Sequence, residues 1–171
     1  MEPAKLLLKW QSRSYRVQTA HYETATSLDR RNYFIGVPAI ILSTLVGTSM
    51  FATLHANPNT FIKIAVGFAS VLVAILTGIQ TFLRYAERAE KHRLAGVRYG
   101  SIKREIEQKL AFAPKNSEEL LPYIDALRIR WDQLNEECPT IPKRIWDRVS
   151  TQIKEARTSV PPNKSFEPTA T

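Results

Sequence analysis

The sequence predicts an all-α membrane protein: a two-helix transmembrane hairpin with cytoplasmic helices before and after it. One observation is a pair of uncharged stretches, Tyr33–Leu54 and Ile64–Leu83, which are 22 and 20 residues long. A helix needs roughly 20 mainly apolar residues to cross a bilayer core about 30 Å thick. The other observation is that only His55–Lys63 separates the stretches, so two adjacent spans form a hairpin.

Two other interpretations fit the composition less well. The buried helices of a soluble bundle usually keep some polar residues on an outer face, and an uncharged window of this length is unusual in them. A secretory signal has an apolar region of roughly 7–15 residues. The first stretch is longer than that, begins at residue 33 and is followed by a second stretch.

The basic residues predict the orientation. Six Lys and Arg precede the first stretch, seventeen follow the second, and the connection holds only Lys63. Because cytoplasmic flanks carry the Lys/Arg excess, we expect both termini in the cytoplasm and the turn at residues 55–60 outside. The net charge of +8 suits such a protein, and it also suits contacts with anionic lipid or a phosphate-bearing partner. We expect no direct nucleic-acid binding.

The N-terminal segment, residues 1–31, predicts an amphipathic helix. Its seam alternates by three and four residues: Leu7, Trp10, Ser14, Val17, His21, Thr24 and Leu28. This spacing is typical of a face that packs against another helix. A membrane-surface helix is the other interpretation, since Lys5, Lys9 and Arg13 are available to headgroups. We favour packing.

The hairpin is expected over residues 32–84, with spans at about 33–54 and 61–83. The second span is predicted to continue unbroken to about residue 111 as a long cytoplasmic stalk, because residues 81–110 contain no proline. The stalk has its own seam: Ala89, His92, Gly96, Tyr99, Ile102, Ile106 and Leu110. Its expected partners are the N-terminal helix and a neighbouring subunit.

A cytoplasmic helical region covers residues 85–157, and a disordered tail is expected over 158–171. Beyond the break at residues 113–117, a third cytoplasmic helix should end near Glu137. It carries an apolar seam: Leu120, Ile124, Leu127, Trp131 and Leu134. Thr140 is predicted to cap a last helix that carries Ile145, Trp146, Val149 and Ile153.

The sequence contains no catalytic, phosphate-binding or metal-binding motif. Its three histidines are scattered along the chain and Cys138 is its single cysteine. We therefore expect no enzyme activity, no metal and no cofactor, and we assign His92 on the stalk seam to packing.

A stripe of small and polar residues lies along one face of the second span: Gly67, Ser70, Ala74, Thr77 and Thr81, with Gln80 near its cytoplasmic end. Ser43 and Gly47 share a stripe on the first span. Such residues let membrane helices pack closely, which is the first interpretation. The second is that they line a water-filled path in a homo-oligomer. Because neither span carries an internal charge, a selective transporter is disfavoured.

The chain resembles the SLATT family of two-transmembrane proteins. The resemblance rests on Trp10, Ser14, Tyr15, Ala20 and His21 before the spans, and on the stretches Ala86–Tyr99 and Arg104–Glu107 after them. Within these stretches, Ala89, His92 and Tyr99 have a spacing similar to the family pattern.

The resemblance implies an effector of prokaryotic conflict systems. Its expected function is to oligomerise and permeabilise or depolarise the bacterial inner membrane in antiphage defence, causing cell death or arrest. It further implies activation by a nucleotide second messenger or a cytosolic sensor protein, with the lipid bilayer and other copies of the chain as partners. A non-conducting scaffold that recruits a cytosolic partner and a small housekeeping channel are the alternatives.

Overall fold

The computed structural model describes residues 2–53, 59–112 and 117–159, and no strand occurs among them. Their order is α1 (Pro3–Thr53), α2 (Thr60–Leu83), α3 (Tyr85–Ala111), α4 (Leu121–Glu137) and α5 (Lys143–Ser159). A 3-10 turn, Ser117–Leu120, leads into α4. The all-α fold class is confirmed. The predicted outer turn is mostly outside the described residues, and so is the tail after Ser159.

Helix α1 is continuous where the sequence suggested an N-terminal helix followed by a separate span. It passes through Asn32 without a break and contains Pro38. A proline removes one backbone hydrogen bond from a helix, and membrane helices tolerate that loss. The amphipathic segment and the first span therefore belong to one continuous helix of 51 residues.

The second span continues directly into the predicted stalk, but with one interruption where an unbroken helix was expected. Helix α2 ends at Leu83, and Arg84 adopts the left-handed conformation with φ 46° and ψ 43°. The Arg84 N–H donates to the Gln80 carbonyl over 3.2 Å, which closes the last turn. A left-handed residue with a Cβ costs about 1–2 kcal/mol, so the surroundings must stabilise this break.

The chain divides into two compact units. The first, which we call the helical bundle, comprises the residues up to Thr24 and those from Leu94 onward. Its core joins α1, α3 and α4 and consists of Leu7, Tyr99, Ile102, Ile106, Leu120, Ile124, Leu127, Trp131 and Leu134. The burial predicted for the seams of α1, α3 and α4 is thereby confirmed.

Helix α5 belongs to the bundle and buries Val149. Its start differs from the prediction. The Pro142 carbonyl accepts hydrogen bonds from the N–H groups of Ile145 and Trp146, at 2.9 and 3.1 Å. Because Thr140 precedes this first turn by two residues, it does not cap the helix. Pro142 supplies only its backbone carbonyl, and a proline is tolerated at this position because its missing N–H is not needed there.

The second unit, Ala25–Arg93, is the hairpin unit. Gln80 near the end of α2 donates through Nε2 to Oδ1 of Asn32, at 3.5 Å, so the start of the first apolar stretch lies beside the end of the second. Both helices contain apolar windows with mean hydropathies of 1.9 and 2.2, of which only 11% and 0% are buried. Both helices are long and apolar enough to cross a membrane.

Candidate functional site

The two faces of α2 have different environments. One face is half-buried and includes Gln80, which bonds to Asn32 of α1: Val66, Ala69, Val73, Leu76, Gln80 and Leu83. The predicted stripe lies on another face and is exposed along its whole length: Gly67, Ser70, Ala74, Thr77 and Thr81. The stripe is therefore not used to pair the two spans of one chain, and it is open to lipid, water or another helix.

The stripe also leaves room for a close neighbour. A Cβ added at Gly67 would meet nothing within 4 Å, and the same holds at Gly47 on the first span. Ser43, close to Gly47, is exposed. The Ser70 hydroxyl donates to the Val66 carbonyl over 2.8 Å, so its proton is satisfied within the helix. Its oxygen retains acceptor capacity for water or a second helix.

Gln80 has a different position from the other predicted site residues. Its amide bonds to Asn32 and lies 3.0 Å from the place that a Cβ on Gly36 would occupy. Gly36 is buried. A side chain at this position would press on the Gln80 amide, and the contact places Gln80 between α1 and α2 and away from the stripe. Composition alone did not indicate this pairing.

Charged residues gather where the apolar part of the hairpin unit ends. The Lys91 ammonium lies 3.0 Å from a Glu87 carboxylate oxygen, and the Arg84 guanidinium bridges to the same carboxylate. These cations hold the pKa of Glu87 below its usual value, with Lys91 as the main cause. Across the hairpin, Arg93 pairs with Asp29 at 2.7 Å and also with Glu90. The i,i+4 spacing of Glu87 and Lys91 indicates their pairing, but the sequence did not indicate that Asp29 and Arg93 meet.

The structure buries all three residues of the family-like motif. Ala89 and His92, in the hairpin unit, are 0% and 5% exposed. Burial and the nearby Arg88 charge lower the pKa of His92, so the imidazole favours its neutral form. Tyr99, in the bundle, donates its hydroxyl to Asn135 Oδ1 over 2.7 Å, and burial raises its pKa to about 12.

Aromatic rings connect three helices of the bundle around Tyr99. His21 of α1 stacks on Tyr99 with ring centroids 5.6 Å apart, and Tyr99 meets Trp131 of α4 edge-on at 5.7 Å. Trp131 in turn lies 6.2 Å from Trp10, under the Arg13 guanidinium. Spacing placed these rings on buried seams, but it could not show which rings meet across helices.

The described residues contain no group of three or more metal-ligating side chains. Cys138 is half-buried and its pKa is raised mainly by burial, so the thiol rather than the thiolate is favoured.

An all-α chain with two exposed apolar helices and a separate helical bundle is a two-transmembrane protein. Residues 11–155 match the family model described as SMODS and SLOG-associating 2TM effector domain family 4. The chain belongs to this family, which confirms the resemblance and makes it a membrane effector domain. Comparisons with curated proteins and with solved structures found no match.

Proposed function

We propose that the protein assembles into a homo-oligomer that permeabilises the bacterial inner membrane during antiphage defence, which kills or arrests the cell. The observation that carries the proposal is the exposed stripe of Gly67, Ser70, Ala74, Thr77 and Thr81 on α2. Small residues allow backbones to approach closely, and hydroxyls tolerate water. A stripe facing lipid alone would use neither property.

The burial of the spans supports assembly. No residue in the apolar window of α2 is fully buried within one chain. Membrane helices associate through van der Waals packing and interhelical hydrogen bonds, and a stripe without bulky side chains suits both. Several copies that bring their stripes together would surround a path lined by Ser70 and Thr77. Apart from Lys63 in the first turn of α2, the spans carry no charge, which suits a poorly selective pore better than a coupled transporter.

We further propose that the helical bundle controls the hairpin, with both termini in the cytoplasm. The family description associates these domains with SMODS and SLOG partners, which supports an external signal. A nucleotide second messenger or a cytosolic sensor protein acting on the bundle is the activation route that we propose. The buried ring cluster around Tyr99 gives the bundle a defined resting structure that such a signal would have to alter.

Leakage from dye-loaded liposomes tests the pore. The full-length protein should release dye alone or with added cyclic nucleotides, and the double variant Ser70→Leu/Thr77→Leu should lose this activity because leucines fill and dry the stripe. The matched control is Thr44→Leu/Thr48→Leu, which removes two exposed hydroxyls from the first span and should still leak.

The outcomes separate the functions. If the Ser70/Thr77 variant inserts, assembles and leaks like the wild type, the stripe does not line a pore. If both double variants lose leakage, the loss is not specific to the stripe, and the stripe is not shown to line the pore. If inserted, oligomeric wild type never leaks, the non-conducting scaffold replaces the pore as our conclusion.

A further inference from the structure

The cations at the base of the hairpin unit are not equally neutralised. Six basic residues lie there against three carboxylates, Asp29, Glu87 and Glu90. Arg84 and Lys91 share Glu87, while Arg93 engages both Asp29 and Glu90. All three carboxylates are therefore occupied by these cations.

The remaining positive charge lies on three arginines. Arg30, Arg31 and Arg88 are exposed and have no carboxylate partner among the described residues. Arg31 comes two residues before the first apolar stretch, and Arg88 comes five residues after Leu83, where α2 ends. Because Asn32 bonds to Gln80, the two flanks lie at the same end of the hairpin. We call these three residues the basic collar.

Aromatic residues mark the depth of the collar in the bilayer. Tyr33 follows Arg31 by two residues and is 68% exposed, and Tyr85 directly follows Arg84. Tyrosines concentrate at the level of lipid headgroups, with the ring in the apolar layer and the hydroxyl in water. Just inside them, Phe34 and Phe82 are 82% and 84% exposed, as is typical of lipid-facing side chains. The collar therefore lies at the height of phosphate groups.

We propose that the basic collar binds the headgroups of anionic phospholipids, so that acidic lipid is a specific partner of the hairpin. Its three free guanidiniums offer forked donors to phosphate oxygens, and no carboxylate of the unit remains to compete. The inference needs insertion of the hairpin but not pore formation, so it stands or falls separately from the proposed function.

The test measures lipid preference directly. The full-length protein is reconstituted in phosphatidylcholine vesicles, and its association with spin-labelled phosphatidylglycerol is compared with that of spin-labelled phosphatidylcholine. A basic residue near a membrane surface contributes about 1 kcal/mol of attraction to acidic lipid, which is about fivefold in affinity. We expect the wild type to prefer phosphatidylglycerol and Arg30→Gln/Arg31→Gln/Arg88→Gln to lose the preference.

A matched control removes the same charge elsewhere. Arg104, Arg128 and Arg144 are exposed bundle arginines that also lack a carboxylate partner among the described residues. Arg104→Gln/Arg128→Gln/Arg144→Gln should retain the preference. An equal loss in this control would show that total charge, rather than the collar, attracts the lipid and would overturn the proposal.

Two further arms complete the test. The lysine variant Arg30→Lys/Arg31→Lys/Arg88→Lys keeps the charge and should retain most of the preference, and Arg88→Gln alone should lower it by about fivefold if the triple glutamine variant does not insert. Soluble glycerol phosphate is added to the detergent-solubilised protein as a second probe. If it raises the melting temperature of the wild type but not of the collar variant, a free phosphate ligand replaces the lipid and the proposal is wrong.

Discussion

The helical bundle and the hairpin unit use apolar residues in opposite ways. In the bundle, Leu7 and Ile106 are 0% exposed, and Leu127 is 1% exposed. In the hairpin unit, Phe68 and Phe82 are 75% and 84% exposed. The bundle has a core that excludes water by itself, whereas the hairpin unit leaves its apolar surface to a surrounding apolar medium. The structure of the bundle is therefore stabilised by its own packing, whereas that of the hairpin unit depends on the bilayer.

The largest expected change in stability comes from a substitution on the buried face of α4. Comparing it with one on the exposed face tests whether the bundle has its own core. Leu127→Ala removes buried methyl groups from the core and should lower the free energy of unfolding by about 2–5 kcal/mol. Ile129→Ala removes a similar volume from a side chain that is 57% exposed, and it should change the free energy of unfolding by about 0.5 kcal/mol or less. Thermal unfolding in detergent, followed by circular dichroism, measures both variants.

Similar losses for the two variants would contradict the core assignment, since they share a helix and differ in burial. A large loss at Ile129 alone would indicate that another element or another copy covers that face of α4. Either result would remove the contrast between the bundle and the hairpin unit.

The hairpin unit contains one contact as close as those in a packed core, between Gly36 of α1 and Gln80 of α2. A side chain added at Gly36 meets the Gln80 amide at 3.0 Å, whereas one added at Gly67 meets nothing within 4 Å. Gly36→Leu should therefore weaken the pairing of α1 and α2 by about 1–3 kcal/mol, as overpacking does. Gly67→Leu should leave the pairing intact. Spin labels at Phe34 and Phe82, in a Cys138→Ser background, report the separation of the helices by electron resonance.

The expected result is a longer, broader distance distribution for Gly36→Leu and an unchanged one for Gly67→Leu. An unchanged distribution for Gly36→Leu would show that Gln80 moves aside without cost. A broadened distribution for Gly67→Leu alone would show that the stripe, rather than the Val66 face, pairs the spans. Oligomer size measured on the same samples shows separately whether Gly67 lies between copies.

Sequence periodicity predicted burial well where water sets the pattern. Leu7, Tyr99 and Trp131 lie on predicted seams and are buried, because apolar residues facing water would be unfavourable. Periodicity could not predict which face of α2 pairs with α1. In a bilayer a lipid-facing Phe68 and a helix-facing Val73 are equally acceptable, so hydrophobicity does not separate the two faces.

Breaks in helices were the other part that the sequence did not predict. Asn32 is a common cap residue, but α1 continues through it because its flanks are packed on both sides of that point. No glycine, proline or asparagine stands at or beside position 84 to mark the end of a helix. The left-handed conformation of Arg84 depends on contacts that only the folded chain provides. The Arg84–Glu87 pair is one of them.

Substitutions at Arg84 have the smallest expected effect on stability. They test what stabilises the break between α2 and α3. Glycine adopts φ 46° without the Cβ penalty, while alanine retains that penalty, and both lose the bridge to Glu87. Arg84→Gly should therefore be more stable than Arg84→Ala by about 1 kcal/mol, or about 2–4 °C in melting temperature for a chain of this size. Thermal unfolding of the two variants in the same detergent measures the difference, in which the loss of the ion pair cancels.

The reverse order would mean that α2 and α3 join into one helix when Arg84 is replaced, because alanine is the better residue inside a helix by about 1 kcal/mol. Labels at Thr77 and Lys91, both exposed, distinguish the two states, since a continuous helix separates them by about 21 Å along its axis at 1.5 Å per residue. A glycine variant that keeps the wild-type distance, beside an alanine variant that lengthens it, would show that the break is held by the Arg84 side chain and its partner. Equal wild-type distances in both would instead show that the packing of the hairpin unit imposes the break on whatever residue occupies position 84.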